Sequence, residues 1–557
     1  MTNDGKETIQ VHIDRCRVRR SKHVVLRDVH FDFTEGDRLS VLGASGAGKS
    51  TLMNAILGYL DPFTWEIDGQ VLWGGVDLLK LNPVEWEEFR GREFRVLFQE
   101  PARMVHPMFK VDNQIMDAFR IVMPDTPEEE LVKRIDEIRR DLRVSRSDET
   151  MGSFPSEVSG GQLQRIALAI SLGPPARFYF ADEPANALDA EITWELIKVL
   201  RNKLDSGDLK ALWLITHDIN VSISAGCTKV LFLDDTFTGH TMPMKQFMKD
   251  PGFEYGREWL NTQMRIYESY RSHELATEVD LSDASTLMKV KDFSYRYPIK
   301  GIIYRKGKPV ISEVSFALKR GEFIGLAGNS GAGKSTIGRC LGHIQHDFDG
   351  DIVYDTATVS QGKHVPTSVQ YMMQDAARSF DPNQKIWENL RQCADGRRLD
   401  WSLVEKEVRM MMEKLGLSDE LLHRFPHELS GGQRQRVAFI RSIMGPTELY
   451  IADEPFVNLD PIIQLEMSKL LRDKRQGEKP MSGVLVSHNF GLLAPLCDRI
   501  VVLSGGRQIE SAETKELISA PQQDETKRLI RAAIKLGQIA LEKDAEARFH
   551  GFEESQE

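Results

Sequence analysis

Residues 158–189 read VSGGQLQRIALAISLGPPARFYFADEPANALD, and residues 429–460 read LSGGQRQRVAFIRSIMGPTELYIADEPFVNLD. The same offset of 271 residues separates Ser159 from Ser430, Glu183 from Glu454 and, further along, His217 from His488. An offset held through three separate features is an internal repeat in register, so the chain carries one machine twice. Each copy reads as a short polar turn, a helix and a buried strand ending in acid. RFYFAD and LYIAD are near-continuous apolar runs, the pattern of parallel strands covered on both faces. They finish on adjacent carboxylates, Asp182-Glu183 and Asp453-Glu454. The C-terminal edge of an α/β sheet is where such folds bind their ligands.

Upstream of each strand lies a glycine-rich loop, GASGAGKST at 43–51 and GNSGAGKST at 328–336, matching G-x-x-x-x-G-K-[ST] in full. Gly43, Gly46 and Gly48, and likewise Gly328, Gly331 and Gly333, let backbone N–H groups approach phosphate oxygens. Lys49 and Lys334 supply point charges, the hydroxyls of Ser50 and Ser335 can ligate magnesium, and the following helix points its N-terminus at the anion. Ser45, Thr51, Ser330 and Thr336 complete the two candidate ATP loops. One such loop can arise by chance. Two, each followed by the same later motifs, cannot reasonably do so.

Taken together, the phosphate loop, the SGGQ turn and the acid-ended strand resemble the nucleotide-binding domain of ATP-binding cassette (ABC) proteins, over nearly the whole chain and twice. The resemblance implies an α/β fold of two P-loop ATPase domains in tandem. Each should be a RecA-like α/β core with a helical subdomain and an antiparallel β subdomain. It further implies that Ser159, Gly160, Gly161 and Gln162 complete the site of Lys334, and that Ser430, Gly431, Gly432 and Gln433 complete that of Lys49. Covalent fusion raises the effective concentration of that pairing. By the same resemblance Asp182 and Asp453 hold magnesium through water, and Glu183 and Glu454 polarise the attacking water. Gln99 in VLFQEP and Gln374 in YMMQDA reach the metal and the water, and His217 and His488 contact the γ-phosphate. ATP and Mg2+ are the expected cofactors. A lone histidine at a strand end is ordinarily structural, and a lone glutamine after a strand means nothing. Their weight comes from recurring at matching places in both copies. Family members also stack an early aromatic ring on adenine, and Tyr297 stands there in the second copy. The first copy has Arg20, which either stacks through its guanidinium plane or is a solvated surface arginine.

Composition bounds the rest. At 557 residues the chain suits at least two domains, each burying its own core, and 41% hydrophobic with 28% charged residues is a globular composition. A net charge of −11 gives no electrostatic reason to expect nucleic acid. No apolar run approaches the ~18 residues of a membrane span, and MTNDGKETIQ lacks the basic and apolar regions of a signal peptide. Service at a membrane would therefore be by docking on other chains. The five cysteines, Cys16, Cys227, Cys340, Cys393 and Cys497, are scattered without a C-x-x-C pair, which suggests free thiols in a reducing cytoplasm.

Residues 127–143, PEEELVKRIDEIRRDLR, place Leu131, Ile135, Ile138 and Leu142 on one helical face, either as part of the helical subdomain or as the core face of any amphipathic helix. We expect a first nucleotide-binding domain over 1–261, a linker over 262–286 and a second domain over 287–557, whose tail beyond Pro521 is helix-like. EPARMVHPMFKVDNQI and DAARSFDPNQKIWENL look like the segments after the glutamine in the peptide/nickel family of ABC importers. YPIKGIIYRKGKPVISEVSF resembles an insertion found in one of that family's two ATPase types. The cysteine cluster that often follows a first-type domain there has no counterpart between Cys227 and Cys340.

These features point to the ATP-hydrolysing, energy-coupling subunit of an importer for small peptides, metal chelates or related solutes. It would sit on the cytoplasmic face of the inner membrane, with two separate transmembrane permease subunits and an extracytoplasmic solute-binding protein as partners. One alternative is a soluble twin-cassette translation factor acting on ribosomes. Such factors usually carry a long charged linker and Asn-His-Leu-Asp after the glutamate, where this chain has Asn186-Ala187-Leu188-Asp189. Another is a fused ATPase for sugar import or phosphonate metabolism.

Overall fold

The strand Arg38–Gly43 (RLSVLG) is buried almost throughout and delivers the first phosphate loop at its C-terminal end. Around it the computed structural model builds a six-stranded sheet. The order is Gly239–Pro243, Lys229–Leu233, Arg38–Gly43, Leu209–Ile215, Ala176–Asp182 and Phe94–Leu97. All neighbours pair in parallel except Gly239–Pro243, which closes the edge antiparallel. The structure describes residues 6–536 apart from 21, 45, 92, 100–103, 145–151, 159, 186, 187, 273–280, 300–304, 356–367, 458 and 478.

Apolar runs buried on both faces explain why these strands form the centre of the sheet. Phe178, Phe180 and Trp213 project from two of them onto Phe33, with ring centroids 5.3, 5.9 and 5.8 Å from it. Phe33 comes from a second, antiparallel sheet in the order Val24–Thr34, Thr8–Val18, Trp65–Trp73 and Val76–Asp77. Its strands alternate buried and exposed residues, the mark of a sheet with one wet face. The helix Glu128–Asp141 buries Leu131, Ile135 and Ile138, with Leu142 buried at its C-cap. Glu128, Glu129 and Glu130 in its first turn and Arg139 and Arg140 in its last complement the helix dipole.

The chain divides into two compact units, the first running essentially to Gln263 and the second from Met264. The second unit repeats the plan of the first. Its six-stranded sheet has the order Val369–Met372, Leu449–Asp453, Ser482–Val486, Phe323–Gly328, Arg499–Ser504 and Arg507–Glu513. A three-stranded antiparallel sheet has the order Arg305–Lys319, Thr286–Ile299 and Asp349–Tyr354. Helices Ile386–Gly396, Trp401–Lys414 and Gly431–Ile443 lie at the places of Val111–Val122, Glu128–Asp141 and Gly160–Leu172 in the first unit. The stretch 262–286, read as a linker, is helical as far as Ser272, because the helix Glu254–Ser272 runs on through it. Beyond Pro521 the helix Asp524–Lys535 buries Leu529, Ile530 and Ala533.

Cys16, Cys227, Cys340 and Cys497 are buried, and only Cys393 is partly accessible. Burial raises the thiols of Cys16, Cys227 and Cys340 to about 12. No described helix is long and apolar enough to cross a membrane.

Candidate active site

Each unit brings its motifs to the C-terminal edge of its parallel sheet. Gly43 and Gly328 end the central strands at φ 140° and 143°, and a Cβ on either would stand 2.1 Å from a backbone carbonyl, that of Leu233 or of Leu503. Only glycine lets the chain leave the strand there. Gly48 and Gly333, at φ 90° and 93°, then cap helices Lys49–Ile56 and Lys334–Leu341 without any side-chain cap. The first N–H groups of both helices are thus left for an anion.

Lys49 folds back over its loop, and its Nζ donates to the carbonyls of Gly43 at 3.0 Å and Ala44 at 2.7 Å. Lys334 does the same with Gly328 at 2.8 Å and Asn329 at 3.0 Å. Burial draws both lysines below their ordinary pKa, opposed by the acid pair at the end of the strand two places along the sheet.

The acids follow from register. Asp182 pairs with Ile215 and Asp453 with Val486, so His217 and His488, two residues further on, emerge beside the carboxylates. Glu183 and Glu454 then leave the strand in the left-handed region, at φ 48° and 51°. Each anchors its own N–H on the neighbouring strand, to Ile215 O at 3.0 Å or Val486 O at 2.9 Å. A non-glycine residue held there costs about 1–2 kcal/mol. Its appearance at the same glutamate in both units marks a constraint on where the carboxylate must point.

In the second unit the glutamate is tied from three directions. Glu454 Oε1 accepts from the backbone N–H of His488 at 2.9 Å and lies 2.7 Å from His488 Nδ1, and Oε2 accepts from Ser487 Oγ at 3.0 Å. Burial alone would raise its pKa, but His488, Lys334 and Ser487 outweigh it and hold the carboxyl below the ordinary range. Burial likewise opposes a charged His488, yet Glu454 raises the imidazole. Glu183 and His217 show the same opposing shifts, with Oε1 and Nδ1 at 3.7 Å. Neither Glu183 Oε2 nor His217 Nδ1 has a hydrogen-bond partner.

The aspartates differ similarly. Ser335 Oγ donates to Asp453 Oδ1 at 2.8 Å and Tyr371 OH approaches Oδ2 at 3.4 Å. Burial raises Asp453, tempered by Ser335 and by the positive charge of Arg339. Asp182 is pushed up to about 6 by burial, held back by the Ser50 hydroxyl. Its Oδ1 is buried without a hydrogen-bond partner. A serine hydroxyl beside a carboxylate with an unused oxygen is a donor set suited to a hard divalent cation, so these residues fit magnesium.

Gln99 and Gln374 are exposed, each two residues past the strand paired with the acid-ended one. Ser430 caps the helix Gly431–Ile443: its Oγ accepts from Gln433 N at 3.2 Å while Gln433 Oε1 accepts from Ser430 N at 2.9 Å. Gly160, Gly161 and Gln162 open the matching helix Gly160–Leu172, as Gly431 and Gly432 open the second. Ser45 and Ser159 lie outside the described residues. Tyr297 is 41% exposed, with its hydroxyl 2.9 Å from Thr336 Oγ1. Arg20 is exposed in the turn after Thr8–Val18, while Gly46, Ser50, Thr51, Ser330, Gly331 and Ser335 lie within the two loops and the first turns after them.

Sequence reading overlooked Ser487, Tyr371 and Arg339. A hydroxyl residue directly before the histidine in both copies, Thr216 and Ser487, was the available signal for the first.

The ABC transporter family model matches residues 26–186 and 311–457, more than half of the chain. The chain belongs to that family. It is accordingly an ATP-binding ATPase built of two cassettes. It is similar to the peptidoglycan transport ATP-binding protein YejF of Agrobacterium fabrum, 28% identical over 92% of this chain and 93% of the relative. It is also similar to the glutathione import ATP-binding protein GsiA of Escherichia coli K12, 27% identical over 92% of this chain and 87% of the relative. Among solved structures, an archaeal ribosome recycling factor in complex with a ribosomal stalk protein superposes with a TM-score of 0.60. It covers 91% of this chain and 90% of that chain at 21% identity, a likeness of fold alone.

Proposed function

We propose that the chain is the energy-coupling subunit of an importer, hydrolysing ATP to drive separate permease chains for small peptides, metal chelates or related solutes. The observation that carries this reading is similarity to a peptidoglycan transport and a glutathione import ATP-binding protein along more than nine-tenths of the chain, with both acid-ended strands intact. A solute-binding protein outside the membrane delivers the cargo, and the chain works at the cytoplasmic face of the inner membrane.

Each phosphate loop cradles the β- and γ-phosphates. Lys49 or Lys334 exchanges its loop carbonyls for phosphate oxygens, and the uncapped helix N-terminus adds its N–H groups. Ser50, Asp182 and Gln99, and in the second cassette Ser335, Asp453 and Gln374, are the residues that would hold Mg2+, whose charge neutralises the transferring phosphoryl group. Glu183 and Glu454, kept ionised by the histidine beside them, orient the attacking water and accept its proton. His217 and His488 face the γ-phosphate. The SGGQ residues of each cassette complete the other's site in a head-to-tail sandwich that ATP closes and hydrolysis reopens.

The test is to trap the Glu183→Gln, Glu454→Gln variant with ATP in its native cell and identify what co-purifies. Two polytopic membrane proteins and a solute-binding protein are expected. Ribosomes in their place would overturn the importer and favour the twin-cassette translation factor.

A further inference from the structure

The exposed face of the first unit's antiparallel sheet carries a cluster that ATP hydrolysis does not use. His12 and His30 stand directly opposite each other on Thr8–Val18 and Val24–Thr34, with ring centroids 3.9 Å apart. Asp14 Oδ1 lies 3.7 Å from His12 Nε2 and 3.8 Å from His30 Nε2. One ligand atom from each falls within 4.8 Å of the others, and all three residues are exposed.

The backbone places them there for identifiable reasons. His12 and Asp14 flank the buried Ile13, so strand alternation sends both to the wet face. Pairing with Trp65–Trp73 steps from Ile13↔Gly69 to Arg15↔Asp68, which leaves Asp14 as the extra residue of a β-bulge. Bulges re-aim side chains, and this one turns the carboxylate toward the two rings. Gln70, paired with His12 on the other side, adds an amide to the same neighbourhood. The corresponding hairpin of the second unit, Thr286–Ile299 with Arg305–Lys319, contains no histidine, so the cluster is a property of the first unit rather than of the fold.

We propose that His12, Asp14 and His30 form a binding site for a divalent transition-metal ion of the zinc, nickel or copper(II) class. Two imidazoles and one carboxylate are the donors such ions select, whereas magnesium and calcium prefer oxygen alone. Metal–nitrogen bonds of about 2.0–2.1 Å in tetrahedral geometry put donor atoms about 3.4 Å apart, so the His–Asp spacings of 3.7 and 3.8 Å need only a few tenths of an ångström of side-chain movement, and the two imidazole donors, within 4.8 Å of each other, need at most about 1.4 Å. Three protein ligands on one face leave the remaining positions to water. Because the ligands come from two strands, the ion pins them together. Val25, on the second strand, has its carbonyl against Gly48 of the phosphate loop, so the pinned hairpin is also a wall of the first nucleotide site.

The experiment titrates untagged full-length protein with zinc chloride against a chromophoric chelator, and with Co2+ while visible absorption is followed. The wild type should take up one equivalent that the His12→Ala, His30→Ala variant does not. Loss of a second-shell partner weakens metal sites about 10–100-fold. Removing a direct ligand, as in Asp14→Asn or His30→Ala, should therefore weaken this one by at least as much. Zinc should raise the Tm of the wild type and not that of the double variant. All three residues are exposed and outside the hydrolytic machinery, so basal ATPase activity should survive and report correct folding. Equal stoichiometry and affinity in wild type and double variant would overturn the site, as would absence of any binding by the wild type below about 100 μM zinc.

Discussion

The two acid-ended strands finish on the same Asp-Glu pair, yet the carboxylates they present are held differently. Glu454 has its histidine at 2.7 Å, a serine hydroxyl and a backbone N–H, whereas Glu183 has its histidine at 3.7 Å and one oxygen with no hydrogen-bond partner. The aspartates beside them differ as well, because different residues fill equivalent positions around them. Tyr371, beside Asp453 and paired with Ile451, stands where the first unit has Val96 paired with Phe180. One helix turn away Arg339 replaces Asn54, whose Oδ1 is buried without a partner. A motif thus specifies which groups are present, while neighbours outside it decide how completely they are oriented before substrate arrives.

The sharpest way to break this contrast is to neutralise each glutamate. Glu454→Gln and Glu183→Gln should each cut steady-state turnover about 10²–10⁴-fold, with the larger loss from Glu454, which is more fully oriented. Full activity retained in either variant would show that its site is only structural. Next in size, Lys49→Ala leaves intact the loop served by Tyr297, and Lys334→Ala leaves the one served by Arg20. The former should bind ATP up to about tenfold tighter, from an aromatic contact worth about 0.5–1.5 kcal/mol. Equal affinities by calorimetry would erase the difference. Ser487→Ala removes one hydrogen bond to Glu454, about 1 kcal/mol, and should slow turnover about fivefold. Thr216→Ala should cost less, because the Thr216 hydroxyl accepts from Asp218 N at 3.1 Å rather than serving Glu183.

Another effect lies away from catalysis. The second unit turns between its last two sheet strands through Gly505 and Gly506, while the first organises the equivalent turn around Asp234. That carboxylate accepts from Thr236 N, Thr236 Oγ1 and Thr238 N at 2.9, 2.7 and 3.0 Å and lies 2.9 Å from His240 Nε2. Burial would raise its pKa, but these partners win and lower it. A depressed folded pKa contributes stability above the unfolded value of 3.8 that fades as pH falls through the folded value. Asp234→Asn should therefore lower stability at neutral pH by about 2 kcal/mol, read as a drop in Tm, and the two proteins' Tm values should converge in acid.

The loops, acid pairs and histidines were legible because each is a local pattern that the repeat confirms internally. The helical face over 127–143 was legible from spacing alone, since Leu131, Ile135 and Ile138 recur at helical intervals. What escaped is set by partners distant in sequence. Nothing near Asp453 announces that Tyr371 will reach it, and no local preference sends Glu183 or Glu454 into left-handed backbone. The meeting of His12 with His30 depends on hairpin register, and the helix continuing to Ser272 overrides a composition that reads as linker.

The buried thiols have a practical side. Four of the five cysteines lie in cores and resist ionisation, and the thiolate is the form that reacts with alkylating and oxidising reagents. Cys393, on the helix Ile386–Gly396, is the one partly open to solvent. The native chain therefore already offers a single attachment point for a fluorophore or spin label on the second unit, without a cysteine-free background having to be engineered first.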